Sequence, residues 1–542
     1  MLVRIVIPML IYLYCIILIM RLRINRVKSG SKTFRYAQIV EDIVEKGIKK
    51  TKIIRHLGPV NDDSDIIAYK KLFLLENEKR KKKIINVADM HALPPLEFGI
   101  IYAARIIAQE TGIWSALTEL MPRHADTLFM MMASRLIKPT SDLAFTELIK
   151  RIYYPWSSTE IEKDQVYRIL DELIEVKEEL EVRLFKKLNP KASIVYYDLT
   201  SSYFEGKEKN ELVVYGYSRD KKRGKKQIVV GLVMADGIPI HHEVWRGNTV
   251  DPETIKATLS ELRKKFGIKR TIFIEDRAFG RRVSLKLLDK NEYITAVYRK
   301  DLPYRTIMME SEFDNDSEIE EGIYAKEVKV EWNTEGMGRR EESRAGKRRG
   351  LVIYNKEREM YDIEDLENKI DEIEDIISSK KSKEEMMNRL EGLKSYVKIK
   401  GDKIELNRKK IEIMRKIAGK FMLVTNTELE VKEIVKRYKE LWRIERAFRT
   451  MKSFINIRPI YHWREDRIKA HVMVSVLSLL IGRIMEKKMG EEMTVERISE
   501  ILLGVKAIPI KTEDKVITIA SMSEEAKEIM NKLGVPAPKN LL

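Results

Sequence analysis

Residues 193–204, SIVYYDLTSSYF, decide the fold. Ile194, Val195, Tyr196 and Tyr197 run straight into Asp198 and then into Thr200, Ser201 and Ser202. An unbroken run of β-branched and aromatic residues reads as a buried strand, so the carboxylate of Asp198 stands where an apolar strand turns polar. After a basic loop, YGYSRDKKRGKKQ, comes IVVGLVMADGIPIHHEVW, two apolar runs separated by Asp236-Gly237. That pair tolerates positive φ at both positions and predicts a tight hairpin. Asp251-Pro252-Glu253 starts a helix, with Asp as the cap and the fixed φ of Pro suited to the first turn. Ile255, Leu259, Leu262 and Phe266 then recur on one apolar face. TIFIED (271–276) predicts a strand, RRVSLKLLDK (281–290) a helix and YITAVYR (293–299) a further strand.

The order is β-β-β-α-β-α-β. Three antiparallel strands followed by helix-linked parallel strands make a ribonuclease-H-like core, an α/β mixed five-stranded sheet with helices. Outward from it, residues 20–60 read as a small β-hairpin unit and 61–190 as a mostly helical, DNA-binding domain. Residues 191–300 are the first part of the core and 301–420 an insertion, β-rich and then helical. Ile363, Leu366, Ile370, Ile373 and Ile377 keep a heptad spacing there, and a second arm over Lys383 to Val397 predicts a helical hairpin. Residues 421–480 return to the core through a strand, KFMLVTNT, and one long helix from about Glu428 to Phe454; 481–542 are C-terminal helices and a tail.

The chain has 542 residues, enough for two to four folded units. Its 44% hydrophobic and 34% charged content excludes both a polytopic membrane protein and a wholly disordered chain. Lys and Arg number 102 against 84 Asp and Glu, a net charge of +18 that favours an anionic polymer as partner, nucleic acid ahead of a membrane surface. The single cysteine, Cys15, excludes an intramolecular disulfide and a Cys-rich zinc motif, and points to a reducing compartment. Ile5 to Met20 carries no charge but is interrupted by Pro8 and falls short of the ~20 residues that span a bilayer. The reading adopted is that Met20 is the natural start and residues 1–19 are upstream sequence, with a membrane anchor or a buried segment as alternatives. The apolar run His471–Ile481 is also too short to span.

Three carboxylates stand out. Asp198 and Asp276 lie on or at the end of strands that this topology makes neighbours, so both emerge at one sheet edge. Like charges that close repel unless a cation lies between them. Glu445 follows Val431, Ile434, Tyr438 and Leu441 and precedes Phe448 and Lys452 at alternating spacings of 3 and 4, which puts it in the expected buried stripe of the long helix. A carboxylate there must be paired or hold a metal; an ion pair to Arg449 or Lys452 is the alternative. Oxygen donors suit Mg²⁺ or Mn²⁺, and two such ions about 4 Å apart serve in-line phosphodiester displacement. No HExxH spacing, P-loop lysine or nucleotide-binding glycine fingerprint occurs, so a nucleotide cofactor is not expected.

These residues resemble the DDE transposases of bacterial and archaeal insertion sequences, in the insertion-sequence-four family and its branch with a long insertion before the catalytic Glu. The similar segments are YYDLTSSYFEG around Asp198, Gly247 to Asp251, IEDRAFG around Asp276, YKELWRIERAFRTMK through Glu445, RPIYHW (458–463) and His471. The resemblance implies that Asp198, Asp276 and Glu445 form the catalytic and metal-holding triad with two Mg²⁺ or Mn²⁺ ions. The family's YREK signature falls on Tyr438, Leu441, Glu445 and Lys452, so its Arg is replaced by Leu441, and Arg443 or Arg449 is the candidate substitute. Tyr438, Lys452 and Arg449 are then DNA-binding candidates. Arg277 is another, with a structural ion pair as its alternative. The implied function is cut-and-paste transposition: binding terminal inverted repeats, cleaving the ends and joining them to target DNA. The implied state is a homodimer in a synaptic complex, cytoplasmic and associated with the nucleoid. A ribonuclease-H-like nuclease without strand transfer, and a domesticated DNA-binding protein without chemistry, are the alternatives.

Overall fold

The Asp236-Gly237 turn forms as its chemistry favours, with φ of +50° and +74° and Ala235 paired to Ile238. In this computed structural model the residues described are 19–45, 48–81, 91–157, 160–189, 194–204, 210–216, 224–249, 251–266, 272–275, 292–331, 347–379, 382–401, 403–458, 460–511 and 516–538. The chain divides into two compact units, Met1–Leu93 with Pro509–Ile517, and Pro94–Ile508 with Thr518–Leu542.

The first unit holds a three-stranded antiparallel meander, β1 (Ile19–Ser29), β2 (Lys32–Glu45) and β3 (Ile48–Pro59), one strand more than the expected hairpin. Its helix α1 (Asp63–Lys81) returns to the sheet, where the Tyr69 hydroxyl donates to the Pro59 carbonyl at 3.1 Å. Asp42 accepts from Arg21 and Thr51, and Gln38 accepts from Arg23 and Asn25, so polar ladders tie the strands across one face.

The second unit begins with helices α2 (Gly99–Glu110), α3 (Ile113–Leu120), α4 (Ala125–Ser134) and α5 (Lys163–Leu188). The core strands follow: β4 (Ile194–Tyr203), β5 (Lys226–Ala235), β6 (Ile238–Arg246), helix α6 (Asp251–Lys264), β7 (Ile272–Glu275) and β8 (Glu292–Ala296). β4, β5 and β6 pair antiparallel, whereas β4, β7 and β8 pair parallel. The spatial order β6-β5-β4-β7-β8 is that of a ribonuclease-H-like sheet. Residues 281–290, expected to be helical, lie outside the described residues.

The insertion does not merely interrupt this sheet; its strands extend it. β9 (Ile323–Glu331) and β10 (Lys347–Asn355) join β13 (Lys420–Thr425), which pairs antiparallel with β8. With two short flanking strands the sheet reaches ten strands. Between β10 and β13 the second arm of the expected helical hairpin is split in two. Helix α7 (Lys356–Ser378) buries Leu366, Ile370, Ile373 and Ile376, and the second arm is an α-helix over Lys383–Arg389 followed by a 3-10 helix over Glu391–Tyr396. Val397, Ile399 and Ile404 alternate about Gly401, and this period of two forms a hairpin, β11 (Val397–Lys400) with β12 (Lys403–Leu406), before α8 (Arg408–Lys416). Ile373 and Ile376 share a small core with that hairpin, with Leu390 and Leu393, and with Met386 and Met387 of the second arm.

The single long helix expected near residues 428–454 is two: α9 (Val431–Lys439) and α10 (Trp442–Ser453), broken at Glu440-Leu441. Helix α11 (Glu465–Lys488), α12 (Val495–Leu503) and α13 (Glu524–Leu533) complete the unit. By length and composition α11 could cross a membrane, but nearly all of it is buried against protein, and it shares one apolar core with α2, α4 and α5. The N-terminal helices of this unit therefore share one core with its C-terminal helices.

Candidate active site

Side chains alternate across a strand, so Tyr196 and Asp198 face the same side of β4 while Val195, Tyr197 and Leu199 face the other. Tyr196 belongs to the core formed with Met234, Ile274, Ile294 and the inward residues of α9 and α10; Tyr197 belongs to the core on the opposite face. Asp198 thus lies on the sheet face that α10 covers, half-buried, its carboxylate accepting the Leu199 N–H at 2.7 Å. Helix α10 packs directly on β4.

Glu445 sits on that helix, but not as its spacing predicts. The stripe facing the core is Leu441, Ile444, Ala447, Phe448 and Met451, and Glu445 is exposed in the first turn of α10. The break at Glu440-Leu441 resets the helical phase, turning Leu441 inward and Glu445 outward. A first-turn carboxylate is favoured by the helix dipole, so Glu445 is kept there without a desolvation cost.

A side chain of the sheet meets the break. The Tyr196 phenol donates to Glu440, which also accepts from Arg437 at 3.3 Å and lies 3.6 Å from Arg443. Burial, then the hydrogen bond to Glu440, raises the Tyr196 pKa far above that of a free phenol, so it remains a donor. Two arginines flanking Glu445 are anchored on the other side: Arg443 to Glu491 at 3.2 Å and Arg446 to Glu486 at 2.9 Å. Glu486 is 1% exposed, pairs with Arg483 as well and accepts the Val495 N–H at 2.8 Å. Charge pairs on both sides thus fix the rotation of α10.

Of the remaining candidates, Tyr438 lies on α9, half-buried, its ring 5.9 Å from that of Phe421. Lys452 is half-buried in the last turn of α10, two turns beyond Glu445. Arg449 is exposed on α10 one turn after Glu445, whereas Arg443 is held by Glu440 and Glu491; of the two candidates for the missing signature arginine, only Arg449 presents its guanidinium to solvent. Leu441 is 5% exposed, in core where an arginine would be desolvated. Asp276 and Arg277 lie outside the described residues.

The sequence reading missed the Tyr196–Glu440 pair and two buried clusters. In one, Asp142 accepts from His462 at 2.7 Å, His471 at 2.8 Å and Arg135 at 3.0 Å. The three carboxylate and imidazole groups are close enough to hold a metal ion, but the Arg135 guanidinium is 3.4 Å from His471 Nδ1 and already neutralises the carboxylate. Burial alone would raise the Asp142 pKa; His471, His462 and Arg135 hold it well below the usual carboxylate range. In the second, Glu181 of α5 meets His241 Nδ1 at 2.8 Å, His242 Nδ1 at 2.6 Å and Lys177 at 3.2 Å. Both clusters join residues far apart in sequence; their local signals were the pair His241-His242, the i,i+4 pair Lys177 and Glu181, and His462 and His471 in the family-like segments.

The family profile described as "Transposase DDE domain" matches residues 189–481, more than half of the chain and all of the elements that carry the site. No curated protein matches. Among solved structures the chain is similar to the piggyBac transposase synaptic complex with hairpin DNA, at 9% identity and a TM-score of 0.34, over 75% of this chain and 76% of that one. It is also similar to the Mos1 transposase paired-end complex with the left transposon end, at 14% identity and a TM-score of 0.14, over 34% of this chain and 57% of that one. At those TM-scores neither likeness carries weight for the arrangement above, which rests on the chain's own strands and helices.

Proposed function

We propose a reaction for this chain, which belongs to the transposase DDE domain family: it binds the terminal inverted repeats of a mobile element, cleaves the ends and joins them to target DNA by a cut-and-paste route. The observation that carries this reading is that Asp198 lies on the sheet face covered by α10, the helix bearing Glu445. In sequence, Asp276 is two residues after Ile274, as Asp198 is two residues after Tyr196, and Ile274 and Tyr196 are partners in the parallel pair β7–β4. Asp198, Asp276 and Glu445 are in this reading the triad of a member of the insertion-sequence-four family, in its YREK branch.

DDE transposase domains depend on Mg²⁺ or Mn²⁺. An all-carboxylate donor set suits those hard cations, which supply charge neutralisation and nucleophile activation for phosphoryl transfer; we assign two ions to the triad. The chain's own contribution is positioning. The Tyr196–Glu440 bond and the Arg443 and Arg446 pairs hold α10, and with it Glu445, against the strand of Asp198. Arg449, Lys452 and Tyr438 lie along α9 and α10 as contacts for DNA phosphates, and Arg277 is a fourth candidate. End recognition falls to the helices of 61–190, and pairing of two ends to a homodimer, acting in the cytoplasm at the nucleoid.

The test is incubation of the full chain with Mg²⁺, a DNA fragment carrying the terminal repeats of its element, and a supercoiled plasmid. Joined products are expected. Ends that are cut but never joined would favour a nuclease without strand transfer, and binding without cutting would favour a protein that has lost its chemistry.

A further inference from the structure

The segment between α10 and α11 presents an aromatic pair that the reaction so far does not use. Tyr461 and Trp463 are 67% and 65% exposed, the most exposed aromatic side chains among the described residues. Single exposed apolar residues are ordinary on protein surfaces. These two differ because the backbone that carries them is fixed. Ile460 between them and α10 is buried, and the intervening His462 is anchored on Asp142 at 2.7 Å and edge-on to Tyr167. The Trp463 carbonyl accepts from Asn210 at 2.6 Å, and Glu465 accepts the Leu212 N–H at 3.1 Å. Upstream, the Ile457 carbonyl lies 3.1 Å from His471 Nε2. Alternate residues are thus locked inward while the two rings are held in water on a rigid support.

Two arginines, Arg458 and Arg464, bracket the pair, followed by Glu465, which accepts the Leu212 N–H, and by exposed Asp466. Arg458 stacks over the Tyr203 ring at 4.6 Å, at the far end of the strand that carries Asp198, and Arg464 is 43% exposed beside Trp463. Asp171, the carboxylate nearest Arg464, already takes two hydrogen bonds from Arg467 at 2.8 Å. Rigid exposed aromatics among arginines make a stacking platform for unpaired nucleobases, whose π-faces stack on such rings irrespective of sequence.

We infer that Tyr461 and Trp463, on the segment that follows the helix of Glu445, hold unpaired bases of single-stranded DNA. The inference rests on the DNA-transposing function proposed above and adds the form of DNA that the site takes.

The experiment compares the full chain's affinity for a duplex with a short oligo(dT) extension and for the same duplex blunt, by fluorescence anisotropy at fixed salt. The wild type is expected to bind the tailed duplex more tightly. Tyr461→Ala and Trp463→Ala should each weaken tailed binding by about tenfold, within the range of lost base–aromatic stacking, and leave blunt binding unchanged. Tyr461→Phe and Trp463→Phe should retain the preference. Alanine variants that bind the tailed duplex like wild type would overturn the inference, as would equal losses on both probes. A changed sedimentation mass with tailed binding intact would also overturn it, making the surface a protein interface. Failure of the wild type to bind either probe would instead bring down the DNA reading itself.

Discussion

Tyr196, two residues before Asp198 on β4, donates its phenolic hydrogen to Glu440, the residue at which the helix leading to Glu445 breaks and restarts. One hydrogen bond therefore links the strand of one candidate catalytic carboxylate to the helix of another across 244 residues of sequence. A hydrogen bond to a charged group contributes about 1.5–3 kcal/mol. Glu440 keeps Arg437 and Arg443 when the phenol is removed, so Tyr196→Phe should cost about 1.5 kcal/mol in urea unfolding, the lower end of that range. It should also slow end cleavage with DNA affinity unchanged. Wild-type stability together with wild-type cleavage would show that the bond does not position α10.

The two candidate substitutes for the missing signature arginine should behave differently. Arg449 is exposed on α10, so Arg449→Ala should leave stability within about 0.5 kcal/mol. If its guanidinium meets a phosphate, the slope of log affinity against log salt should fall by about 0.9. Arg443 instead pairs with Glu491 and Glu440, all of them partly buried. Arg443→Ala should destabilise by about 1–2 kcal/mol, between a surface pair and a buried one. The reverse pattern in paired salt titrations and unfolding curves would reassign the phosphate contact to Arg443.

Glu181 should be a linchpin of stability rather than of chemistry. Its removal leaves His241, His242 and Lys177 around an empty carboxylate position. Glu181→Ala is expected to cost about 3–5 kcal/mol, the penalty for breaking a buried charge pair, read by urea unfolding. A cost under about 1 kcal/mol would mean that the cluster is not held by this carboxylate.

Acid should unfold the protein in two stages. Burial lowers the His242 and His471 pKa below the ordinary 6.5, so as pH falls through that value the unfolded chain binds protons that the folded one refuses. Stability is therefore retained above pH 6.5 and declines beneath it. Burial alone would raise Glu181 and Asp142, but Lys177 with the two histidines, and His471, His462 and Arg135, hold them well below 4.5 and 3.8. Their contribution is present above those values and is lost as pH falls further. Unfolding free energies measured across this range should decline below pH 6.5 and more steeply below 4.5; a flat profile from 6.5 to 5 would contradict the first stage.

Much of the core was legible because its signals are local. The Asp236-Gly237 turn, the apolar runs from Ile194 to Tyr197 and Ile272 to Ile274, and the helix start at Asp251 each report their own geometry within a few residues. The break at Glu440-Leu441 was not legible, since neither residue is Gly or Pro and the side chain that meets Glu440, Tyr196, is far away in sequence. An uninterrupted 3-4 spacing therefore read Glu445 as buried. The sheet extension was hidden for a related reason. β9 and β10 are charge-rich, with Lys326, Glu327, Lys329, Lys347, Arg348 and Arg349 among their residues, and only pairing with β13 shows that they belong to the core sheet. Helix α7 kept its heptad pattern, but the pattern could not show that a β-hairpin joins the second arm as its partner.

The exposed carboxylate of Glu445 offers the most direct test of the catalytic assignment, because it can be changed without disturbing the core. Purified Glu445→Gln should unfold at the wild-type urea midpoint, bind a terminal-repeat fragment with wild-type affinity, and fail to cleave it in Mg²⁺. Cleavage of that fragment by Glu445→Gln at the wild-type rate would contradict the assignment of Glu445 to the active site of this transposase.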